Sequence, residues 1–309
     1  MEKQKELSVI LDTDIGPDCD DAGALAILNV LEDMGEAKIL GVTHCTSSIY
    51  GAGCIDAINR FYNHGHIPIG ILKTEGFLVG EEYEKYNRYV TENFDNAYKD
   101  NNAPDAVCLF RKLLSRAEDG SVTVIGIGPL INLANLLDSS PDEFSPLSGD
   151  ELVELKVKAL VVMAGRFVAD NNGQLLSEWN VLMDIPSAQR VFHDWKSPII
   201  FSPWEVGDPI ITGRTLMHGT SENNPVKKSY ELYTNGQGRM SWDLITVIYA
   251  IRGGCKLWEL SENGKVTVDK EGVTWFKPSN DGMHYYIKNL APVHEIEEYI
   301  DILLVKTSI

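Results

Sequence analysis

The sequence predicts an α/β protein built on an open, mostly parallel, Rossmann-like sheet with helices on both faces. Three observations carry that expectation. Short apolar runs recur along the chain without polar alternation, which marks strands covered on both sides. Helical stripes follow most of them, and strand–helix alternation reads as parallel strands joined by right-handed crossovers. Finally, the 309 residues are 44% apolar and 23% charged. That is a globular composition, which excludes collagen-like, coiled-coil and wholly disordered chains.

The strand runs lie at residues 9–11, 39–42, 67–72, 122–127, 157–163 and 198–201. Between them, Ala24, Leu25, Leu28 and Leu31 form one helical stripe, Ala57, Ile58 and Phe61 a second, and Leu130, Leu133, Leu136 and Leu137 a third. Residues 75–102, rich in Tyr, Glu and Asn, read as an excursion over the sheet edge. Residues 138–150 read as a polar loop rather than a boundary. Asn263-Gly264-Lys265 between β-rich runs predicts a hairpin. No linker or repeat divides the chain, so residues 1–309 are expected to form a single domain, at the upper end of what one core supports.

Lys and Arg number 27 against 45 Asp and Glu, a net charge of −18. Such a field repels phosphate backbones and anionic lipid heads, so neither nucleic acid nor a membrane surface is an expected partner. The five cysteines, Cys19, Cys45, Cys54, Cys108 and Cys255, show no CxxC pair, which fits a reducing compartment and argues against zinc. The charged start Met1-Glu2-Lys3-Gln4-Lys5-Glu6 runs straight into an apolar strand with no secretory apolar region. A cytoplasmic location is expected.

The sharpest feature is Asp12-Thr13-Asp14-Ile15-Gly16-Pro17-Asp18-Cys19-Asp20-Asp21-Ala22, with five carboxylates in ten residues. It follows the first strand and precedes the first helix, at the strand end where open α/β sheets bind ligands. Carboxylates so close raise one another's pKa and call for a counter-charge. Oxygen-only donors point to Ca²⁺ or Mg²⁺. Helix capping accounts for one or two of the five. An EF-hand loop fails, because Pro17 stands where Gly is needed and Gly23 where the bidentate Glu should be. A phosphatase-type Asp-x-Asp remains a rival, although the Asp20-Asp21 pair is foreign to it.

This segment resembles the signature of the inosine–uridine nucleoside hydrolase family, Asp-x-Asp-x-Gly followed by Asp-Asp-Ala, with Asp18-Cys19 as two extra residues. Further motifs follow in the same order: Gly126-Ile127-Gly128-Pro129-Leu130-Ile131-Asn132-Leu133-Ala134, Met163-Ala164-Gly165, Glu178-Trp179-Asn180 and Trp242-Asp243. The resemblance implies a nucleoside hydrolase fold and an N-glycosyl hydrolase that splits ribonucleosides into base and ribose, with a place in purine salvage. It implies Ca²⁺ held by Asp14, Asp21, Asp243 and the backbone carbonyl of Ile127, with Asp14 also taking a proton from the attacking water. Asp20, Glu178 and Asn180 map to the ribose, with Asn172 taken over Asn171 as the preceding Asn. Ser48 stands where the family has a sugar-binding Asn. Trp242 replaces a His, as in a purine-preferring subgroup, and implies stacking on a purine base. The expected partner is a small nucleoside, and the expected assembly a homodimer or homotetramer.

The seven histidines are scattered, none is placed as a general acid, and most are expected at the surface. Two other classes compete: a non-catalytic nucleoside- or sugar-binding protein on the same fold, and a metal-dependent phosphohydrolase. Retention of Asp14, Asp21 and Asp243 argues against the first. The absence of Lys or Arg beside the Asp cluster argues against the second.

Overall fold

The computed structural model describes residues 6–306; the charged start at 1–5 and the last three residues lie outside them. The apolar runs become strands because burial on both faces rewards β-branched side chains on a pleated surface. In β1 (Leu7–Thr13), Val9 and Leu11 enter one core and Ile10 the other. The chain continues through α1 (Asp20–Asp33), β2 (Ala37–His44), α2 (Gly51–Phe61), β3 (Ile69–Ile71), α3 (Asn87–Asn93), α4 (Ala106–Arg116), β4 (Val122–Gly126), α5 (Ile131–Leu137), α6 (Gly149–Lys156) and β5 (Val157–Met163). Then come α7 (Trp179–Met183), α8 (Ile185–Asp194), β6 (Ile199–Ser202), α9 (Trp204–Gly207), β7 (Ile211–Thr212), α10 (Arg214–Gly219), α11 (Pro225–Thr234), β8 (Arg239–Met240) and α12 (Trp242–Arg252). The last elements are β9 (Trp258–Leu260), β10 (Gly264–Val268), β11 (Thr274–Pro278), β12 (His284–Asn289) and α13 (Val293–Leu304).

Strands β3, β2, β1, β4, β5, β6 and β12 lie side by side in that order, all parallel. Beyond β12 the sheet turns antiparallel through β10 and β11, and β9 also pairs antiparallel with β12. Helices α1, α2, α12 and α13 cover one face, and α4, α5, α6 and α8 the other. The predicted α/β architecture is therefore observed.

The sheet order reverses at β1. The chain leaves β1 toward β2 on one side, and β4 fills the other side. Such a switch point leaves a crevice outside the carboxyl ends of the strands, since the crossovers on either side diverge. β1 ends there in the aspartate segment.

Three local expectations are corrected. The hairpin joins β10 to β11 through residues 269–273, where Asp269 Oδ1 accepts from Glu271 N at 3.0 Å and Val273 N at 2.9 Å. Asn263-Gly264 instead opens β10, because the strand before it pairs with β12. The polar loop stops at Ser148, which caps α6 in a reciprocal box with Glu151, so Gly149 and Asp150 are helical. Buried Arg111 holds that loop through Asp142, Ser139 and the Leu147 carbonyl. The excursion after β3 does not merely skirt the edge, as Glu82, Tyr83 and Lys85 reach the crevice.

Candidate active site

The five carboxylates of the first loop separate into three environments. Asp12 lies within β1, buried behind the crevice. Thr43 Oγ1 donates to its Oδ1 at 2.6 Å and Asn132 Nδ2 at 2.8 Å. Burial pushes its pKa up to about 7 against the pull of those donors. Asp18 pairs with Arg239, whose Nε lies 2.9 and 3.0 Å from its two oxygens. The remaining three, Asp14, Asp20 and Asp21, are buried and line the crevice with Asp243.

Two helix N-termini bring this last group together. Asp20 and Asp21 occupy the first turn of α1, and Asp243 the first turn of α12, which packs against α1. Free N–H groups and the helix dipole favour negative charge at such ends. Asp243 N donates to Asp20 Oδ2 at 3.1 Å. Asp14 and Asp21 act on each other's titration, and Thr13 Oγ1 donates to Asp21. Oxygens of Asp20, Asp21 and Asp243 all lie within 4.8 Å of one another. Gly128 permits the approach of Asp14: a Cβ there would sit 2.6 Å from Asp14 Oδ1.

Burial, and after it mutual repulsion, drives the pKa of Asp20, Asp21 and Asp243 well above the carboxylate range; for Asp14, burial again dominates. None of these four has an ion-pair partner among the described residues, because Arg239 is bound to Asp18. The donor set is all hard oxygen and lacks a counter-charge, which fits Ca²⁺ or Mg²⁺. Asp20, assigned above to the sugar, thus stands with the metal-type carboxylates. The Ile127 backbone is tied to Asp12 O at 2.8 Å and faces the same crevice.

Opposite this cluster stands the start of α7. Glu178 caps the helix, accepting from Asn180 N at 2.7 Å, Val181 N at 3.2 Å and Gly165 N at 3.3 Å. Burial raises its pKa to about 7 despite these donors. Asn180 donates to Met163 O at 3.0 Å and Ile127 O at 3.5 Å. Both are buried and line the crevice. Asn172 is exposed in a turn with Asp170 and lies outside the lining. Ser48 is buried beside the crevice, its Oγ donating to Glu84 at 2.9 Å and accepting from Asn87 at 3.5 Å.

The crevice encloses about 430 Å³, enough for a small ligand. Trp242 lines it, half-buried, its Nε1 donating to Trp204 O at 2.8 Å. Trp204, Trp179 and Tyr233 join it. Sequence reading quoted Trp179 only as part of a motif and missed Trp204 and Tyr233, together with Arg239 and Lys85. The premise that no basic residue approaches the aspartates is corrected: Arg239 arrives from 221 residues away. Most histidines are at the surface as expected; His44 is an exception, ending β2 fully buried, its pKa lowered by burial to about 4.

The class defined by fold and site is a doubly wound α/β protein with an acidic, cation-type pocket at its topological switch point. The family model for inosine–uridine preferring nucleoside hydrolase matches residues 9–289, and the chain belongs to that family of N-glycosyl hydrolases. The inosine–uridine preferring nucleoside hydrolase of Bacillus anthracis superposes with a TM-score of 0.73 at 18% identity, covering 97% of this chain and 100% of that one. The purine-preferring ribonucleoside hydrolase of Gardnerella vaginalis gives 0.73 at 15% identity, covering 96% and 99%. These likenesses establish the fold. An uncharacterised protein of Schizosaccharomyces pombe is 25% identical over 207 residues, 65% of this chain and 62% of its own length. The chain thus matches less than two thirds of that relative. Among the described residues no helix is long and apolar enough to cross a membrane.

Proposed function

We propose that the chain hydrolyses the N-glycosidic bond of ribonucleosides, with Ca²⁺ as its cation and purine nucleosides preferred. The observation that carries this reading is the close grouping of Asp20, Asp21 and Asp243 in one small crevice that Asp14, Ile127, Glu178 and Asn180 also line. Asp14, Asp21, Asp243 and the Ile127 carbonyl would hold the cation, with Asp20 beside them. When bound, the cation would acidify a water molecule. Asp14 would accept the proton of the attacking water as the water oxygen bonds to C1′ of ribose. The C1′–N bond breaks through an oxocarbenium-like transition state, its electron pair leaves with the base, and the base takes up a proton from solvent while Asp14 returns the water's proton to solvent. Asp20, Glu178 and Asn180 orient the ribose hydroxyls, with Ser48 beside the crevice as an outlying contributor; Asn172, exposed outside the lining, is given no part. Trp242 stacks on the base. Assembly as a homodimer or homotetramer belongs to the same reading.

The test is a panel of nucleosides incubated with the protein and Ca²⁺, followed for free base and reducing sugar. Inosine should outrun uridine, and Trp242→Ala should narrow the gap, since base–aromatic stacking contributes ~1–3 kcal/mol. No release of sugar from any nucleoside overturns the reading. Equal rates on inosine and uridine remove the purine preference alone.

A further inference from the structure

We propose that Arg239 selects the base, favouring a 6-oxopurine over a 6-aminopurine. The inference rests on the nucleoside hydrolase reading. Arg239 and Asp18 both line the crevice and are each about a quarter exposed. Nε and Nη2 of Arg239 both bond to Asp18, so one edge of the guanidinium is clamped. Its Cζ lies 5.1 Å from the ring centroid of Trp242 and 5.2 Å from that of Tyr233. A base approaching that face of Trp242 therefore meets the guanidinium. Among the described residues, the other hydrogen-bond partner of the guanidinium is the Met240 sulfur, 3.6 Å from Nη1. The remaining N–H groups of Nη1 and Nη2 stay available to a ligand.

That open edge carries donors only, since arginine is permanently protonated. Hypoxanthine and guanine present two adjacent acceptors, O6 and N7. Adenine sets an amino donor beside N7. Two donors therefore match the first pattern and oppose the second. Asp18 prevents the guanidinium from turning away to another partner.

To test this, kcat/KM for inosine, guanosine and adenosine is measured for wild type, Arg239→Gln, Arg239→Lys and Asp18→Asn. Binding of hypoxanthine and adenine is followed by tryptophan fluorescence. Wild type should favour inosine over adenosine by roughly ten- to a hundredfold, the scale of one bidentate base contact. Glutamine offers one donor and one acceptor, the pattern adenine takes, so Arg239→Gln should bring the ratio to unity or invert it. Arg239→Lys keeps the charge and loses the fork; it should lower inosine turnover without raising that of adenosine. Asp18→Asn releases the clamped edge and should lower the ratio with Arg239 intact. A ratio and a base ranking unmoved by Arg239→Gln, with all rates falling together, would overturn the proposal, as would a wild type indifferent to the 6-substituent. Ranked base binding without cleavage of any nucleoside would uphold Arg239 and sink the hydrolase reading.

Discussion

Two crevices open at opposite ends of the parallel sheet. The one at the amino ends of β1, β2 and β5 is larger, about 810 Å³ against 430 Å³. Its charged residues, among them Lys38, Arg116, Asp119 and Lys158, are exposed and of both signs, and Lys156 pairs with Asp119 at 2.7 Å. The one at the carboxyl ends concentrates buried carboxylates of a single sign. Exposed charges of mixed sign are screened by water and contribute little. Buried like charges are costly unless something compensates them. Uncompensated burial, more than volume, distinguishes a site built for a ligand.

Exchanging charge at the two ends is the sharpest way to break this comparison. Asp14→Asn should lower kcat by ~10²–10⁴-fold, the scale of a lost general base. Lys38→Gln with Lys158→Gln at the other end should leave kcat and KM unchanged. Near-normal kcat in Asp14→Asn with the cation still bound would remove Asp14 from the base role.

Removing the cation is a second way to break it, of at least the same size. Purified protein should contain calcium by elemental analysis. Dialysis against a chelator should abolish activity and lower Tm, because a ligand at about 100 times its Kd stabilises the fold by ~2.7 kcal/mol. The larger crevice, with its exposed mixed charges, gives no reason for any such dependence. Activity and Tm both unmoved by chelation would sink the cation assignment.

The smallest effect concerns pH. Glu178 has a folded pKa of about 7, above its ordinary 4.5. The folded state then holds a proton the unfolded chain releases, so this group's contribution to stability falls as pH rises from about 4.5 to 7. Glu178→Gln keeps the shape without the charge. Its urea midpoint should gain on wild type across that window, while ribose recognition weakens by roughly 1–3 kcal/mol. Parallel midpoints from pH 4.5 to 7.5 would show that Glu178 is not held protonated.

What the sequence made legible follows the range of the interactions involved. Strands read clearly, because an apolar run reports its own burial, and β5 spans Val157–Met163 as expected. The aspartate segment read clearly as a group, because its charges are neighbours in the chain. Its division did not, since the partners of Asp12 are Thr43 and Asn132, and the partner of Asp18 is Arg239. The burial of His44 was hidden for the same reason. Nothing beside His44 in sequence signals that its ring packs against Gly51, where a Cβ would come within 2.2 Å of it. The antiparallel edge was hidden because β9 pairs with a strand some 25 residues later rather than with its neighbour β10.

The hydrogen bond from Asp243 N to Asp20 joins residues 223 positions apart. During synthesis, the acidic loop therefore leaves the ribosome long before its third carboxylate partner exists. A cation held by Asp20, Asp21 and Asp243 together would therefore have its full ligand set only once nearly the whole chain had been made.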